Sequence, residues 1–121
     1  MSLEFNDILF YNDAEGQVKI DVLYEGDTFW LSQKKMAALF DVSIPTINEH
    51  LQNIFKTKEL DEIATIRKFR IVQREGNREV NRNIDFYNLD AIIAVGYRVN
   101  SYRATQFRIW ATATLKEFII K

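Results

Sequence analysis

Between Ser32 and Gln52 the sequence writes two short helical patterns almost back to back, and this constrains the fold more than any other feature. Two such helices cross steeply only if their contact residue is small, the turn holds a residue able to take positive φ, and the inward positions are apolar. Ala37 supplies the small contact, Asp41 sits at the turn, and Met36, Phe40, Val42, Ile47 and Leu51 form the inward set. Aspartate tolerates the left-handed region better than most residues do. Ser32 stands where an N-cap belongs, with its hydroxyl placed for the free amides of a helix starting at Gln33. In the second helix Pro45 costs no hydrogen bond in the first turn, and Ser43 can cap the amide of Thr46. Because a proline biases its predecessor away from helical angles, the cap falls either at Ser43 or at Ile44. The pattern predicts a helix-turn-helix over residues 32–52.

The flanking segments have a different period. Ile8-Leu9-Phe10-Tyr11-Asn12 and a run over residues 18–24 with Val18, Ile20 and Val22 on one face read as strands, joined by the turn Asp13-Ala14-Glu15-Gly16. Glu25-Gly26-Asp27 turns again into a short strand over 28–31. Further on, runs over 66–74 and 80–87 flank Glu75-Gly76-Asn77-Arg78, where Gly76-Asn77 is expected to supply the positive φ angles of a tight hairpin. From Asn88 the period becomes helical: Asn88 caps a helix carrying Leu89, Ile92, Ile93, Val95, Gly96 and Val99, and Asn100 is placed to end it in the left-handed region. Ser101 is then expected to cap a last helix whose Ala104, Phe107, Trp110, Ala111, Leu115, Phe118 and Ile119 form one apolar stripe. The fold class expected is α+β: a winged helix-turn-helix with an N-terminal β-hairpin, a basic wing hairpin and a C-terminal helical pair.

At 121 residues, 47% of them hydrophobic, the chain can bury the core of a single domain over 1–121. It holds no apolar run long enough to span a bilayer, and its N-terminus is acidic where a secretory signal is basic, which predicts a cytoplasmic protein without membrane attachment. The last helix reaches Lys121 without a stop signal, as in an N-terminal fragment of a longer protein. There is no cysteine and one histidine, His50. Thiol chemistry and zinc knuckles thus lack their ligands, and His50 reads as a partly buried helix residue. No nucleophile with a base, carboxylate pair or phosphate-cradling glycine loop is visible, so neither an enzyme, a cofactor nor a small-molecule substrate is expected.

The net charge of −1 hides an uneven distribution: residues 1–31 carry −6 and residues 32–121 carry +5. Local patches decide binding to DNA, because salt screens the field within about 8–10 Å. The outward positions of the second helix are Pro45, Thr46, Asn48, Glu49, Gln52 and Asn53, polar types that read base edges: Asn and Gln pair with adenine, Glu accepts from cytosine, and Thr touches base or methyl. Ser43 joins them at the helix start. Lys34 and Lys35 before this helix, and Lys56 and Lys58 at its end, read as phosphate contacts. The hairpin adds Arg67, Lys68, Arg70, Arg74, Arg78 and Arg82 against Glu75 and Glu79, net +4 over residues 67–82. Four to six phosphate contacts imply a log–log salt slope of roughly −4 to −5. These observations point to a domain for double-stranded DNA, acting as a homodimer on half-sites one helical turn apart.

Other readings fit the same residues. A helix pair of this kind also serves in protein-interaction modules, here for an enzymatic domain absent from this chain. The basic hairpin also fits an edge hairpin whose charges block edge-to-edge pairing. Phe107, Trp110 and Phe118 share the spacing of core residues, not of a base-stacking platform. Tyr97, Arg98, Tyr102 and Arg103 read as a surface patch or as capping and packing groups.

Two blocks carry a resemblance. Phe29-Trp30-Leu31-Ser32-Gln33-Lys34-Lys35-Met36-Ala37-Ala38-Leu39-Phe40, followed by Thr46-Ile47-Asn48-Glu49-His50-Leu51-Gln52-Asn53-Ile54-Phe55, is one. Tyr87-Asn88-Leu89-Asp90-Ala91-Ile92-Ile93-Ala94-Val95-Gly96-Tyr97-Arg98-Val99-Asn100-Ser101, running into Gln106-Phe107-Arg108-Ile109-Trp110-Ala111-Thr112, is the other. Both resemble the N-terminal domain of the virulence protein RhuM family. The resemblance implies a bacterial DNA-binding protein, of the kind whose genes lie near restriction-modification or mobile defence clusters. A similar N-terminal region precedes Fic-type domains, and the last helix is similar to the Bro-N domains of phage antirepressors. The chain departs from the family pattern at Asp41, commonly glycine, and at Ile44-Pro45, where a basic or small polar pair is usual; both changes bear on base preference.

Overall fold

The computed structural model describes residues 8–120, with side chains up to residue 117. Phe118 and Ile119 of the expected apolar stripe therefore lie, as side chains, outside the described residues, as does the acidic start over residues 1–7. The strands are β1 (Ile8–Asn12), β2 (Lys19–Glu25), β3 (Thr28–Ser32), β4 (Ile66–Glu75) and β5 (Arg78–Asn88). The helices are α1 (Gln33–Phe40), α2 (Ile44–Lys56), α3 (Glu62–Thr65), α4 (Leu89–Val99) and α5 (Ser101–Ile120). The class is α+β: one antiparallel sheet of order β1-β2-β3-β5-β4, with helices packed on it.

Local chemistry starts and stops the elements. In the β2–β3 turn Gly26 and Asp27 both take positive φ, 61° and 63°, the type I′ geometry that suits the twist of a two-residue hairpin. The β4–β5 turn differs from expectation, since Gly76 takes φ 64° but Asn77 does not take positive φ. One glycine at the first central position is the type II′ pattern. Ser32 caps α1 by accepting from the Lys35 N–H at 3.2 Å. Asp41 ends α1 in the left-handed region, φ 58° and ψ 50°, and the Val42 N–H returns to the Ala37 carbonyl. Ser43, not Ile44, caps α2, accepting from the Thr46 N–H at 3.2 Å. Asn88 caps α4 through the Ala91 N–H.

The junction of α4 and α5 corrects two expectations. Asn100 lies at φ −161°, extended and not left-handed, and it is Asn100, not Ser101, whose side chain accepts from the first turn of α5, at the Arg103 N–H. The same side chain donates to the Phe40 carbonyl at 3.2 Å, and its backbone N–H bonds the Gly96 carbonyl. One residue thus joins the ends of α1 and α4 to the start of α5.

The main core lies between sheet and helices. Val22, Phe29, Leu31 and Tyr87 from the strands meet Met36 and Phe40 of α1, Ile47, Leu51 and Ile54 of α2, Ile92 and Val95 of α4, and Phe107 of α5. A 13-residue helix is marginal alone. Burying Ile47, Leu51 and Ile54 stabilises α2 in place by about 4–9 kcal/mol as an upper figure. Strand alternation turns Leu23 and Trp30 to the other sheet face, where they bury with Phe69 in a second cluster. The β4–β5 hairpin is part of the sheet only at its base: β3 reaches β5 at Phe86, Tyr87 and Asn88, and the strands beyond have no third neighbour.

Candidate nucleic-acid interface

The expected reading helix presents the face that its periodicity predicts. Ile47, Leu51 and Ile54 point inward, while Ser43, Asn48, Glu49, Gln52, Asn53 and Lys56 are exposed. Glu49, Gln52, Asn53 and Lys56, with Phe55 and with Glu62 of α3, line an open groove of about 580 Å³. Three of the candidate reading residues also hold the structure together. Ser43 and Thr46 hydroxyls lie 2.8 Å apart and hold the α2 cap. The Asn48 amide oxygen accepts from Gln33 Nε2 at 3.1 Å, leaving the Asn48 amide group as its free donor.

Gln33 is the positioning residue that reading the sequence missed. From the first turn of α1 its amide nitrogen donates to Asn48 and, at 3.0 Å, to the Tyr87 hydroxyl on β5. This network sets the start of α2 against the base of the β4–β5 hairpin. Burial pushes the Tyr87 phenol above its usual pKa, with the Gln33 hydrogen bond opposing. Tyr87 therefore remains a neutral partner across the physiological range.

The six hairpin cations do not form one patch. Register and alternation place Lys68, Arg70 and Arg74 on the face of Ile66 and Tyr87, and Arg67, Arg78 and Arg82 on the face of Phe69 and Phe86. Three are paired with acids. Lys68 Nζ lies 2.8 Å from Asp85, Arg82 donates to both Glu75 oxygens at 2.7 and 2.8 Å, and Arg67 lies 3.6 Å from Glu25 and 5.2 Å from the Phe69 ring centre. The hydrogen bond to Asp85 raises the pKa of Lys68 above its usual value. Arg70, Arg74 and Arg78 are exposed and form no ion pair among the described residues. On α1, Lys34 is exposed, and Lys35 lies 3.7 Å from Asp21. The Lys35–Asp21, Lys68–Asp85 and Arg82–Glu75 pairs are solvated and therefore weak, whereas the Glu25 oxygen facing Arg67 is buried; Lys34 and Lys56, like Arg70, Arg74 and Arg78, form no ion pair among the described residues.

The aromatic and arginine group at the α4–α5 bend is committed to intramolecular bonds. Arg98 pairs with Glu59 and with the Ala94 carbonyl, Arg103 donates to the Leu39 carbonyl and Gln17, Tyr102 donates to Glu15, and Tyr97 accepts from Arg108. Capping and packing account for it. No helix of the described residues is long and apolar enough to cross a membrane, and no group of three or more metal-ligating side chains forms among them.

No curated protein and no solved structure matches the chain. The block over residues 29–55 lies outside the family match. That match covers β4, β5, α4 and α5 and includes the second block of resemblance: residues 64–121 are similar to the model of the virulence protein RhuM family.

Proposed function

We propose that the chain is a winged helix-turn-helix domain of a bacterial regulator that binds double-stranded DNA. In this reading α2 enters the major groove and the β4–β5 hairpin is a wing on the phosphates. The observation that carries it is the Asn48–Gln33–Tyr87 network, which sets the polar face of α2 beside the base of a hairpin whose Arg70 and Arg74 share the helix-side face without acidic partners. Asn48, Glu49, Gln52 and Asn53 would meet base edges, and Lys34, Lys56, Arg70, Arg74 and Arg78 would meet phosphates. Five neutralised phosphates correspond to a salt slope of about −4.5.

The test is fluorescence anisotropy with a random duplex library across salt, using the chain and its Arg70→Ala, Arg74→Ala, Arg78→Ala triple variant. A folded triple variant with much weakened binding supports the reading. The second reading, a protein-interaction module for a separate enzymatic domain, is favoured by the exposure of Ile63 on α3, 89% accessible beside the α2 groove. No salt-dependent duplex binding by the chain itself would favour that alternative, and unchanged binding in the triple variant would remove the wing from the reading.

A further inference from the structure

Among the described residues the sheet ends in two edges, β1 and β4, and their chemistry differs. β4 carries Arg67, Lys68, Arg70 and Arg74, the kind of charged edge that repels a further strand. β1 is Ile8-Leu9-Phe10-Tyr11-Asn12, without charge, proline or glycine, and Phe10 at its centre is 72% exposed. An uncharged apolar edge is a template for another strand. Helix α5 lies over this edge: the Tyr11 ring meets Phe107 at 5.1 Å and Trp110 at 5.2 Å, and Ile109 is 57% exposed. Between strand and helix runs a groove of about 340 Å³ lined by Tyr11, Asn12, Gln106, Ile109 and Trp110.

We infer that β1 pairs antiparallel with β1 of a second copy, about a twofold axis through Phe10 and perpendicular to the sheet, to give a continuous ten-stranded sheet. Charge and strand direction select this occupant. Joining β4 to β4 sets four cations against four. Joining β1 to β4 with the helices on one side makes a parallel ladder, because the strands alternate in direction, and this arrangement does not close. Joining β1 to β1 closes, keeps every ladder antiparallel, and opposes Phe10 to Phe10 and Leu9 to Tyr11. Asp13, at the end of each strand, is turned inward: it is 8% exposed and its carboxylate accepts from the Val18 N–H at 2.9 Å. Phe10, on the sheet face away from α5, packs against Phe10 of the second copy.

The geometry also fits the DNA reading, on which this part alone rests. A perpendicular axis leaves both helix layers on the same side. β5 is the fourth strand from the joined edge, so the two β5 strands lie seven spacings apart, about 34 Å in a flat sheet. Gln33 ties α2 to Tyr87 of β5, so in that flat limit the two α2 helices stand about one helical turn of DNA apart, and the twist of the strands turns them relative to each other.

The chain lacks cysteine, so Phe10→Cys introduces a single thiol. Paired residues on antiparallel strands have Cα atoms about 4.5–5.5 Å apart, within disulfide reach. Oxidation should give a cross-linked dimer for Phe10→Cys and none for Val72→Cys, a control 60% exposed on β4. In sedimentation equilibrium the unmodified chain should have twice its mass of 14.3 kDa, and Phe10→Lys should be a monomer with an unchanged circular dichroism spectrum. If Phe10→Lys fails to fold, the cross-linking decides. A chain that stays monomeric at its highest soluble concentration, equal cross-linking at both cysteines, or a dimeric Phe10→Lys overturns the inference. A cross-linked dimer that binds no duplex leaves the pairing standing and removes the DNA reading. A monomer that binds duplex with a salt slope does the reverse.

Discussion

Gly96→Ala should destabilise the domain, although helix propensity alone predicts the opposite. Gly96 lies inside α4, where alanine is better than glycine by about 1 kcal/mol. A Cβ at this position would meet Phe40 Cζ at 2.6 Å and Cε1 at 2.7 Å, and Ala104 Cβ at 2.7 Å, against 3.4 Å or more in ordinary contact. Neither neighbour can swing aside, because Phe40 is 1% exposed and Ala104 is 0%. Relief must come from separating α4 from α5 and α1 by most of an ångström. Overpacking of this kind costs about 1–3 kcal/mol, and with clashes on both sides the upper end applies, which leaves a net loss of about 2 kcal/mol. Urea unfolding followed by tryptophan fluorescence reads this as a lower midpoint at an unchanged m value. Ala104→Gly in the Gly96→Ala background should recover part of the loss, since it removes one of the two clashes. A variant as stable as the parent, or more stable by the propensity increment, would refute the close helix approach.

Three further outcomes follow from named hydrogen bonds and from burial. Asn100→Ala should cost about 1–2 kcal/mol, the cap of α5 plus an unsatisfied Phe40 carbonyl, read by the same urea titration. Gln33→Leu should leave the fold within about 1 kcal/mol but weaken duplex binding in the anisotropy assay, because Asn48 loses its anchor; undiminished binding would contradict the positioning role. Burial raises the Tyr87 pKa in the folded state, so the unfolded chain releases that proton first. Stability from this group is therefore complete below the unfolded value near 10 and declines as pH rises through the folded one. Unfolding free energies across alkaline pH should show a shallower decline for Tyr87→Phe.

What the sequence disclosed was set by interaction range. Ser32 and Asn88 were legible as caps, Ser43 as one of two candidates beside Ile44, and Asp41 as a left-handed turn residue, because each acts within a few residues of itself. Met36, Phe40, Ile47 and Leu51 of the inward set were legible because burial imposes its period on the sequence, whereas Val42 lies half-buried in the turn and the buried Leu39 and Ile54 were missed. The sequence did not disclose partner choice across the chain. Gln33 reaches Tyr87 54 residues away, Asn100 reaches Phe40 60 residues away, and the Glu25 carboxylate that engages Arg67 lies on a strand whose place in the sheet no local pattern encodes. The expected six-cation wing therefore resolves into two faces with three unpaired arginines. The short helix α3 escaped notice because four residues carry no period.

Duplex affinity measured against salt, for the chain and its Arg70→Ala, Arg74→Ala, Arg78→Ala variant, tests the DNA reading most directly. The expected result is a log–log slope of roughly −4 to −5 for the chain, smaller in magnitude by about 2.7 in the variant, at about 0.9 for each phosphate that no longer meets an arginine. Binding no tighter than about 1 mM with no salt slope, against the about 10⁻⁴–10⁻⁶ M of even non-specific DNA binding, would contradict it.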